Sequence, residues 1–475
     1  MSSKRALVSA ALAMAVLSGC ASYQPAPLSP ADNVRALDSR NLADPRLRQF
    51  IAAAQDDGDK PAPHLRWRLA TLTLAALYYH PDIQLARAKL LGAEAAVVTA
   101  REPPNPVLNL TNIFGSAAVA GAIPAGAAPV TIGPIIDLIL ETAGKREART
   151  ERAEHLLAAA RGDVATAQWQ VRADVRNALL ELWAARERGL LTHQRLNLQE
   201  QLVQLLEHRR AEGAASAPDV AQARIEQAQI NLALSALNRQ AAEARVKLAT
   251  AIGIPVRGLD GIELDLTGFD RPSPVEMKAA TGAWRHEALT GRSDIQASLA
   301  AYEAAQAALR LAIADQFPNV TLSPGYNYDL GVNRYVLNVG GTLPVFHQNQ
   351  GPIAEALAKR QEAADAFTAL QARIIGAIDE AAAVYAKATQ GLVAVDAVLA
   401  DQRRRAQQVE SAFRVGQSDR HTLLSAQVEL AAAQLSHFDA VVEQRRALGA
   451  LEDALHRPLY EPHSGLPLLS PELLS

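Results

Sequence analysis

The sequence is poor in cysteine, in aromatic residues and in net charge, and each shortage excludes a class of protein. Its single cysteine, Cys20, excludes a disulfide or a thiolate metal site within one chain of 475 residues. A formal net charge of −3 leaves no case for nucleic-acid binding, which needs a basic surface. Aromatic residues make up only 4% of the chain while alanine is abundant, a composition typical of long helices packed closely through small side chains.

Catalytic and metal-binding patterns are absent from the sequence as well. It contains no HExxH, no glycine-rich phosphate loop and no GxSxG, and its 11 histidines are scattered. We therefore predict no enzyme, no cofactor and no metal site. His421 is the one histidine that we consider as a contact for a metal ion in passage.

Long hydrophobic runs are also missing beyond residue 20. No apolar stretch there reaches the ~20 residues that a membrane-spanning helix needs, so membrane entry would require β-strands or a lipid. The one early apolar run, residues 6–16, follows Lys4 and Arg5 and has the length of a signal-peptide core.

A motif at the end of this run bears on where the protein resides. Leu17-Ser18-Gly19-Cys20 resembles the bacterial lipobox, in which the cysteine is lipidated and becomes the mature N-terminus. The resemblance implies a signal peptide over 1–19 and a palmitate-bearing Cys20. Because no aspartate follows Cys20, it also points to the outer membrane of a Gram-negative bacterium. An ordinary secretory signal with an incidental cysteine is the alternative.

The rest of the chain repeats one plan twice: an alanine-rich helix, two strand-like segments, a long helix that ends at a glycine, and a returning helix. A repeat of this length is a duplication of the whole architecture, since solenoid units have about 20–50 residues. A proline-rich N-terminal segment is predicted to be an extended tether with one short helix. The predicted divisions are a signal peptide 1–19, the tether 20–64, a first repeat 65–260, a linker 261–291, a second repeat 292–458 and a C-terminal tail 459–475.

Two long helices, predicted over 145–211 and 353–415, carry a coiled-coil period. Their apolar residues follow one another by threes and fours, as in Val164, Ala167 and Val171. This spacing averages 3.5 residues and buries one seam against a neighbouring helix. At 1.5 Å per residue each helix is about 100 Å long, so it needs partners running alongside it.

Four strand segments are predicted over 106–116, 129–141, 319–329 and 334–343. Apolar and polar residues alternate in them, a weak signature of membrane β-barrel strands when each segment has roughly ten residues. Soluble hairpins are the alternative that this pattern leaves open. Four strands cannot close a membrane barrel and lipid does not tolerate open edges, so strands in a membrane would have to come from several chains.

Residues 65–458 resemble the TolC family of outer-membrane efflux channels. The resemblance rests on the duplicated plan, on Asp82-Ile83 and Asp294-Ile295, on Pro318-Asn319, and on the second helix tip. That tip reads Phe413-Arg414-Val415-Gly416-Gln417 and, after a short spacer, Leu423-Leu424-Ser425-Ala426-Gln427.

The resemblance implies a mainly helical fold with four transmembrane strands per chain. Three chains would share a twelve-stranded barrel that continues into a long α-helical coiled-coil tunnel in the periplasm. It also implies partners: a periplasmic adaptor (membrane fusion protein), an inner-membrane pump of the RND type, and outer-membrane lipid.

Two further motifs resemble one branch of this family. Glu141-Thr142-Ala143-Gly144-Lys145-Arg146 is similar to the Gly-Lys-Arg entry to the first long helix in the CzcC-like heavy-metal efflux branch. Leu343-Pro344-Val345-Phe346-His347-Gln348-Asn349-Gln350-Gly351 is similar to another segment of that branch, although His347-Gln348 lacks its usual basic residue. The predicted lipidated N-terminus resembles that of the family's lipoprotein branch.

The tips of the long helices are the predicted functional sites. Gly213 and Gly416 would let the chain reverse, because glycine tolerates positive φ. The resemblance implies that an adaptor docks at the tips, through Gly213, Val415, Gly416, Leu423 and Leu424. Since pores select with rings of charge, the candidates for a constriction are Asp219, Asp419, Arg420, Thr422 and Ser425. For the two aspartates, capping of the returning helices is the other interpretation.

The function expected from these patterns is passive conduction. The chain would be the outer-membrane channel of a three-part efflux system for heavy-metal cations or drugs. A type I protein-secretion channel and a non-channel coiled-coil scaffold lipoprotein of the periplasm are the alternatives. The strand segments argue against the scaffold.

Overall fold

The computed structural model of the chain describes residues 22–54, 66–114, 130–269, 277–329 and 332–459. The predicted signal peptide, Cys20 and all but the first residue of the predicted tail lie outside the described residues, as do parts of the predicted tether and linker. In the described part, the chain forms ten α-helices, two short 3-10 helices and four β-strands.

The elements follow the duplicated plan. The helices are α1 (Pro30–Asp38), α2 (Pro45–Ala54), α3 (Leu69–Tyr79), α4 (Pro81–Arg101), α5 (Lys145–Ala211), α6 (Ala217–Ile252), α7 (Met277–Gly291), α8 (Ser293–Ala314), α9 (Gln350–Arg414) and α10 (Arg420–Leu455). The strands are β1 (Val107–Phe114), β2 (Val130–Leu140), β3 (Val320–Asp329) and β4 (Val332–Gly341). The predicted long helices lie at α5 and α9, and the four predicted strand segments lie at β1 to β4.

The four strands form one antiparallel sheet in the order β1-β2-β3-β4. Leu140 of β2 pairs with Val320 of β3, and Val320 pairs in turn with Gly341 of β4. The central β2–β3 pairing joins the two repeats and leaves β1 and β4 as edges. The predicted fold class, mainly helical with a small four-stranded sheet, is therefore confirmed.

Four helices of the chain pack side by side in the order α6-α5-α10-α9, and α4 and α8 pack against α5. The approach of α8 is close at Gly162, because a Cβ there would lie 2.8 Å from the Cβ of Ala297. The coiled-coil period of α5 and α9 is what allows neighbouring helices to stay in contact over such lengths.

The main hydrophobic core lies around the midpoint of α5, where α3, α6, α8, α9 and α10 converge. The short helix α3 is at its centre, since 9 of its 11 residues are buried. A helix that is apolar on all sides belongs inside a protein. This core holds the two long hairpins, α5/α6 and α9/α10, in register.

A buried ionic network fastens the end of α10 to α5. Glu452 is fully buried and accepts hydrogen bonds from Arg172 and, at 2.8 Å, from Arg176. Arg176 also pairs with Asp453 at 2.6 Å. Gly449 leaves room for this guanidinium, because a Cβ there would lie 3.0 Å from its Nε.

The N-terminal segment differs from the extended tether that we predict from its prolines. In the described range 22–54 it forms α1 and α2, and three of its apolar side chains are buried in the main core: Leu42, Leu47 and Ile51. Arg40 donates hydrogen bonds to the carbonyl oxygens of Tyr79 at 2.7 Å and of Gly253 at 3.0 Å. The segment is part of the folded body, because these few side chains are enough to hold it on the core.

Two other features depart from the sequence predictions. The predicted linker 261–291 contains helix α7 in its described part. Helix α9 contains an 18-residue stretch that is long and apolar enough to cross a membrane, although only 6% of that stretch is buried in the single chain. One such helix is weak evidence of a membrane span, and α9 carries the coiled-coil period through this stretch.

Candidate functional sites: the sheet faces and the helical tips

One face of the sheet is almost entirely apolar. Strand pairing places Leu138 beside Leu322 and Leu322 beside Val339. The large side chains of this face are Leu108, Leu110, Ile132, Ile136, Leu138, Leu140, Val320, Leu322, Tyr326, Tyr328, Tyr335, Leu337 and Val339. Only Asn112 and Asn333, near the end far from the helices, are polar. Most of these side chains are exposed, and together they form a contiguous apolar surface, which marks an interaction site on a protein.

Tyrosines gather at the far end of this apolar face. Tyr326 pairs with Tyr335 across β3 and β4, and their ring centroids lie 5.7 Å apart. Tyr328 is two residues further along β3. Tyrosine suits the boundary between an apolar layer and water, because its ring is apolar and its hydroxyl is polar.

The opposite face of the sheet is mixed and largely polar. The Asn109 amide donates to Asp137 at 2.6 Å across β1 and β2, and Ser323 pairs with Asn338 across β3 and β4. Its polar members are Asn109, Thr111, Thr131, Asp137, Thr321, Ser323, Asn327, Arg334 and Asn338. One face suited to lipid and one suited to water is the arrangement of a membrane β-strand.

The Gly-Lys-Arg motif forms the corner between β2 and α5. Ala143 and Gly144 have positive φ angles of 57° and 71°. Lys145 is buried, and its Nζ lies 2.9 Å from Oδ1 of Asn319 and 3.6 Å from Asp315. The motif therefore ties the first repeat to the start of β3 in the second. At the matching corner, Asn349 has a φ of 60° and donates to the carbonyl oxygen of Ala312 at 2.7 Å.

Both helical tips end in the same local structure. Gly213 and Gly416 have φ angles of 76° and 78°. The Gly416 N–H donates to the Phe413 carbonyl at 3.0 Å and the Gln417 N–H to the Ala412 carbonyl at 2.8 Å, with equivalent bonds around Gly213. This is the Schellman arrangement, which satisfies the last carbonyls of a helix and favours glycine at the turning position.

The two aspartates near the tips have different capping roles. Asp419 is the N-cap of α10 and accepts from the Thr422 backbone N–H at 2.9 Å and from its hydroxyl at 2.7 Å. For α6 the N-cap is Ser216, and Asp219 completes a capping box by accepting from the Ser216 backbone N–H at 3.1 Å. Asp219 is therefore not the N-cap of α6, as the capping interpretation required. The helix begins at Ala217, about one turn before the start that an N-cap at Asp219 would give.

An ion pair joins the two tips. Arg209, in the last turn of α5, lies 3.0 Å from Asp419 at the start of α10. The Thr422 hydrogen bonds and then the Arg209 guanidinium lower the pKa of Asp419 to about 2. Hydrogen bonds from Ser216 lower the pKa of Asp219, and the charge of His421 adds to the effect. Both carboxylates are therefore negative at neutral pH.

The predicted docking residues divide into buried and exposed ones. Leu424 is buried in a small cluster with Leu202, Leu206 and Val220, so it holds the two hairpins together. Leu423 and Ser425 are half-buried, whereas Arg420 and Thr422 are exposed. Val415 is 68% exposed. Between the tips is a cavity of about 440 Å³, lined by Leu206, Arg209, Ala215, Asp219 and His421 among others.

The contacts of several tip and corner residues could not be predicted from the sequence. Arg209 lies in no motif, and the motifs that contain Lys145 and Asn349 do not show which distant residues they contact. Ser216 did carry a signal, since Ser-x-x-Asp before a helix is a capping-box pattern. Within the described residues, no group of three or more His, Cys, Asp or Glu side chains could hold a metal ion.

Comparison with known proteins agrees with this geometry. The model of a family described as outer membrane efflux protein matches residues 73–254 and 284–456. The chain is 29% identical over 454 residues to the pyoverdine export outer membrane protein OpmQ of Pseudomonas aeruginosa. This alignment covers 86% of this chain and 89% of OpmQ. It is 27% identical over 237 residues to the cobalt-zinc-cadmium resistance protein CzcC of Cupriavidus metallidurans, covering 49% of this chain and 55% of CzcC.

Solved structures share the fold. The outer-membrane channel OprN superimposes with a TM-score of 0.64 at 21% identity, covering 93% of this chain and 99% of OprN. The family match extends through both repeats, including the sheet and both long helices. The chain therefore belongs to the outer membrane efflux protein family and is a non-enzymatic efflux channel of the outer membrane with an extension into the periplasm.

Proposed function

We propose that three copies of this chain form one channel, in which their sheets close a shared twelve-stranded barrel. The observation that carries the proposal is the sheet itself. It has an apolar face, a polar face and two edge strands, β1 and β4. Lipid does not tolerate unpaired strand edges, so an apolar face turned to lipid requires β4 of one copy to pair with β1 of the next.

The helices support the same arrangement. In the row α6-α5-α10-α9, the outer members α6 and α9 each have one flank that no other long helix of the described residues covers. The exposed apolar stretch of α9 lies on such an end member. Packing α9 of one copy along α6 of the next closes the three rows into a tunnel and covers this stretch.

The tips are the proposed contacts with an adaptor, and through it with an inner-membrane pump of the RND type. Exposed Val415 and the exposed backbone at Gly213 and Gly416 offer a small-residue surface for another helical hairpin. In a trimer, Asp219, Asp419 and Arg420 would each appear three times around the axis. Charged rings of this kind can select ions at a constriction, and Thr422 and Ser425 lie beside them.

The cargo we propose is a small organic compound. OpmQ, which is named for pyoverdine export, matches most of the chain, whereas CzcC, which is named for cobalt-zinc-cadmium resistance, matches about half. Heavy-metal cations remain the second candidate because of that CzcC match and the Gly-Lys-Arg corner. Accumulation of a panel of organic compounds and metal cations in a strain lacking the gene would decide, and a defect for metals alone would contradict the organic assignment.

A lipid on Cys20 is part of the same proposal. The lipobox-like sequence supports it, and a single acyl chain would add only a marginal anchor to a protein already embedded through its strands. The Cys20→Ser variant should lose labelling by radioactive palmitate. Undiminished labelling would rule this lipid site out.

The two faces of β4 provide the test of the barrel. Leu337 and Asn338 are neighbours near the middle of the strand but point to opposite faces. Leu337→Arg should cost about 2–4 kcal/mol in the membrane because it places a charge near the bilayer centre, whereas Asn338→Arg should assemble normally and alter the ion selectivity. Trimer yield and single-channel conductance in planar bilayers measure both. Equal tolerance of the two variants would contradict the proposed lipid face.

A further inference from the structure

The segment between β4 and α9 exposes a run of large apolar side chains. Leu343, Val345 and Phe346 are 78%, 72% and 97% exposed. At 97% exposure Phe346 has almost no neighbour in the single chain. We call residues 342–348 the junction loop.

The junction loop lies at the edge of the sheet that faces the helices. It follows Gly341, which ends β4 and pairs with Val320 at the start of β3. A second exposed aromatic residue, Phe317, lies three residues before Val320. The tyrosines lie at the opposite edge, so the apolar face of the sheet has aromatic residues at both ends, as membrane strands have at the two interfaces.

The height of the apolar face fits a bilayer with the junction loop at its boundary. Strand β4 has 10 residues. With a rise of about 3.3 Å per residue and a tilt of about 40°, these residues span about 25 Å along the membrane normal, which is the apolar height of outer-membrane barrels. The tyrosines and the junction loop then lie near the two opposite interfaces.

The junction loop is also held in place before any membrane is present. Its base is fixed by Asn349, whose side chain donates to the Ala312 carbonyl of α8 at 2.7 Å. Oε1 of Gln350 accepts from the Gln348 N–H at 2.9 Å, and the Val345 N–H donates to the Leu343 carbonyl at 2.9 Å. Apolar side chains therefore project from a base that is polar and anchored, which is the composition of an interfacial segment.

We propose that the junction loop is a membrane anchor that inserts Leu343, Val345 and Phe346 into the periplasmic leaflet of the outer membrane. It sets the depth at which the barrel sits, with Phe317 beside it at the same interface. The inference rests on the proposed function in one respect, namely that the apolar face of the sheet meets lipid. Lipid is favoured over a neighbouring copy as the occupant because the loop continues from the apolar side chains of β4.

Quenching by brominated lipids tests this placement. Phe346→Trp, Val345→Trp, Tyr335→Trp and Phe413→Trp would each be reconstituted as trimers in phosphatidylcholine vesicles with and without brominated acyl chains. The emission of the wild-type protein, which has 4 tryptophans, is subtracted. Tyr335→Trp reports on the apolar face of the sheet and Phe413→Trp on the second tip, far from the membrane.

The expected result is that Phe346→Trp and Val345→Trp lose emission to an extent similar to Tyr335→Trp, while Phe413→Trp keeps its emission. Quenching of Tyr335→Trp without quenching at 345 and 346 would overturn the anchor and leave the membrane face of the sheet intact. In that case, blue-shifted emission at 346 would place a neighbouring copy over the junction loop. If Tyr335→Trp were not quenched either, the proposed membrane face would fail as well.

Discussion

The two long helices α5 and α9 have nearly the same length and the same coiled-coil period, yet α5 buries four times as many residues as α9. Helix α5 buries 24 of its 67 residues, whereas α9 buries 6 of its 65. The difference comes from position: α5 has α6 and α10 at its flanks and α3, α4 and α8 across it, whereas α9 packs mainly on α10 and α8. Among the described residues no further long helix covers the exposed flank of α9, and this is the flank on which the proposed trimer places α6 of the next copy.

The buried ionic network between α5 and α10 should respond most strongly to substitution. Glu452→Ala would leave Arg172 and Arg176 without their shared carboxylate, which should destabilise the chain by about 3–5 kcal/mol. The control is Asp439→Ala, which breaks the half-exposed pair with Arg188 and should cost at most about 1 kcal/mol. Urea unfolding followed by circular dichroism measures both. Equal losses would show that the network does not hold α10 on α5.

The exposed flank of α9 should matter for assembly of the trimer. Val398 of α9 is 55% exposed in the single chain. If another copy covers it, Val398→Glu buries a carboxyl group without a partner, at a cost of about 1–3 kcal/mol per copy. The trimer should then dissociate while each chain keeps its helical content. Val398→Leu, which keeps the site apolar, should remain trimeric. Light scattering in detergent measures the mass of both variants, and a trimeric Val398→Glu would contradict the prediction.

The two hairpins share one turn structure at their tips, with a glycine at the reversal in each. A Cβ at Gly416 would meet no atom within 4 Å, but its φ of 78° is strained for other residues by about 1–2 kcal/mol. Gly416→Trp should abolish efflux-dependent resistance while the trimer assembles, because the bulk blocks adaptor docking. Gly416→Ala should carry only the backbone strain and keep most resistance. Loss of resistance in both variants would identify the glycine as a folding element instead.

The stability of the second tip should depend only weakly on pH near neutrality. Because the pKa of Asp419 is lowered from 3.8 to about 2 in the folded chain, its contribution is fully present above pH 4. It is lost as the pH falls through about 2, since protonation removes the cap and the pair with Arg209. The protection factor of the Thr422 amide, which is its exchange rate relative to that of an unstructured peptide at the same pH, should therefore be the same at pH 5 and at pH 8. Asp419→Asn keeps a capping side chain but no charge. If the cap contributes more than the ion pair, the Thr422 amide of this variant should be protected from exchange as well as it is in the wild-type protein.

Much of the fold could be predicted because it is local. The 3-4 spacing fixes the long helices, the alternation fixes the strands, and Gly213 and Gly416 mark both turns. The buried network could not be predicted, because Arg172 and Glu452 are 280 residues apart and each resembles a surface residue in its own segment.

The candidate sites divide in the same way. The apolar and polar faces of the sheet follow from alternation once the strand register is known. Leu424 was expected at a docking surface, but it packs against Leu202 and Val220 of the other hairpin, which a local motif does not reveal. The N-terminal segment is similar: its prolines suggest an extended chain, whereas the burial of Leu42, Leu47 and Ile51 shows that it is folded onto the core.

We propose that the surfaces left open at β1 and β4, and at α6 and α9, are closed by two further copies of the chain. Native mass spectrometry of the detergent-purified protein, combined with conductance of the same sample in planar bilayers, tests this most directly. We predict that the conducting species has the mass of three chains and that no monomer conducts. A stable monomer that forms channels would contradict the account.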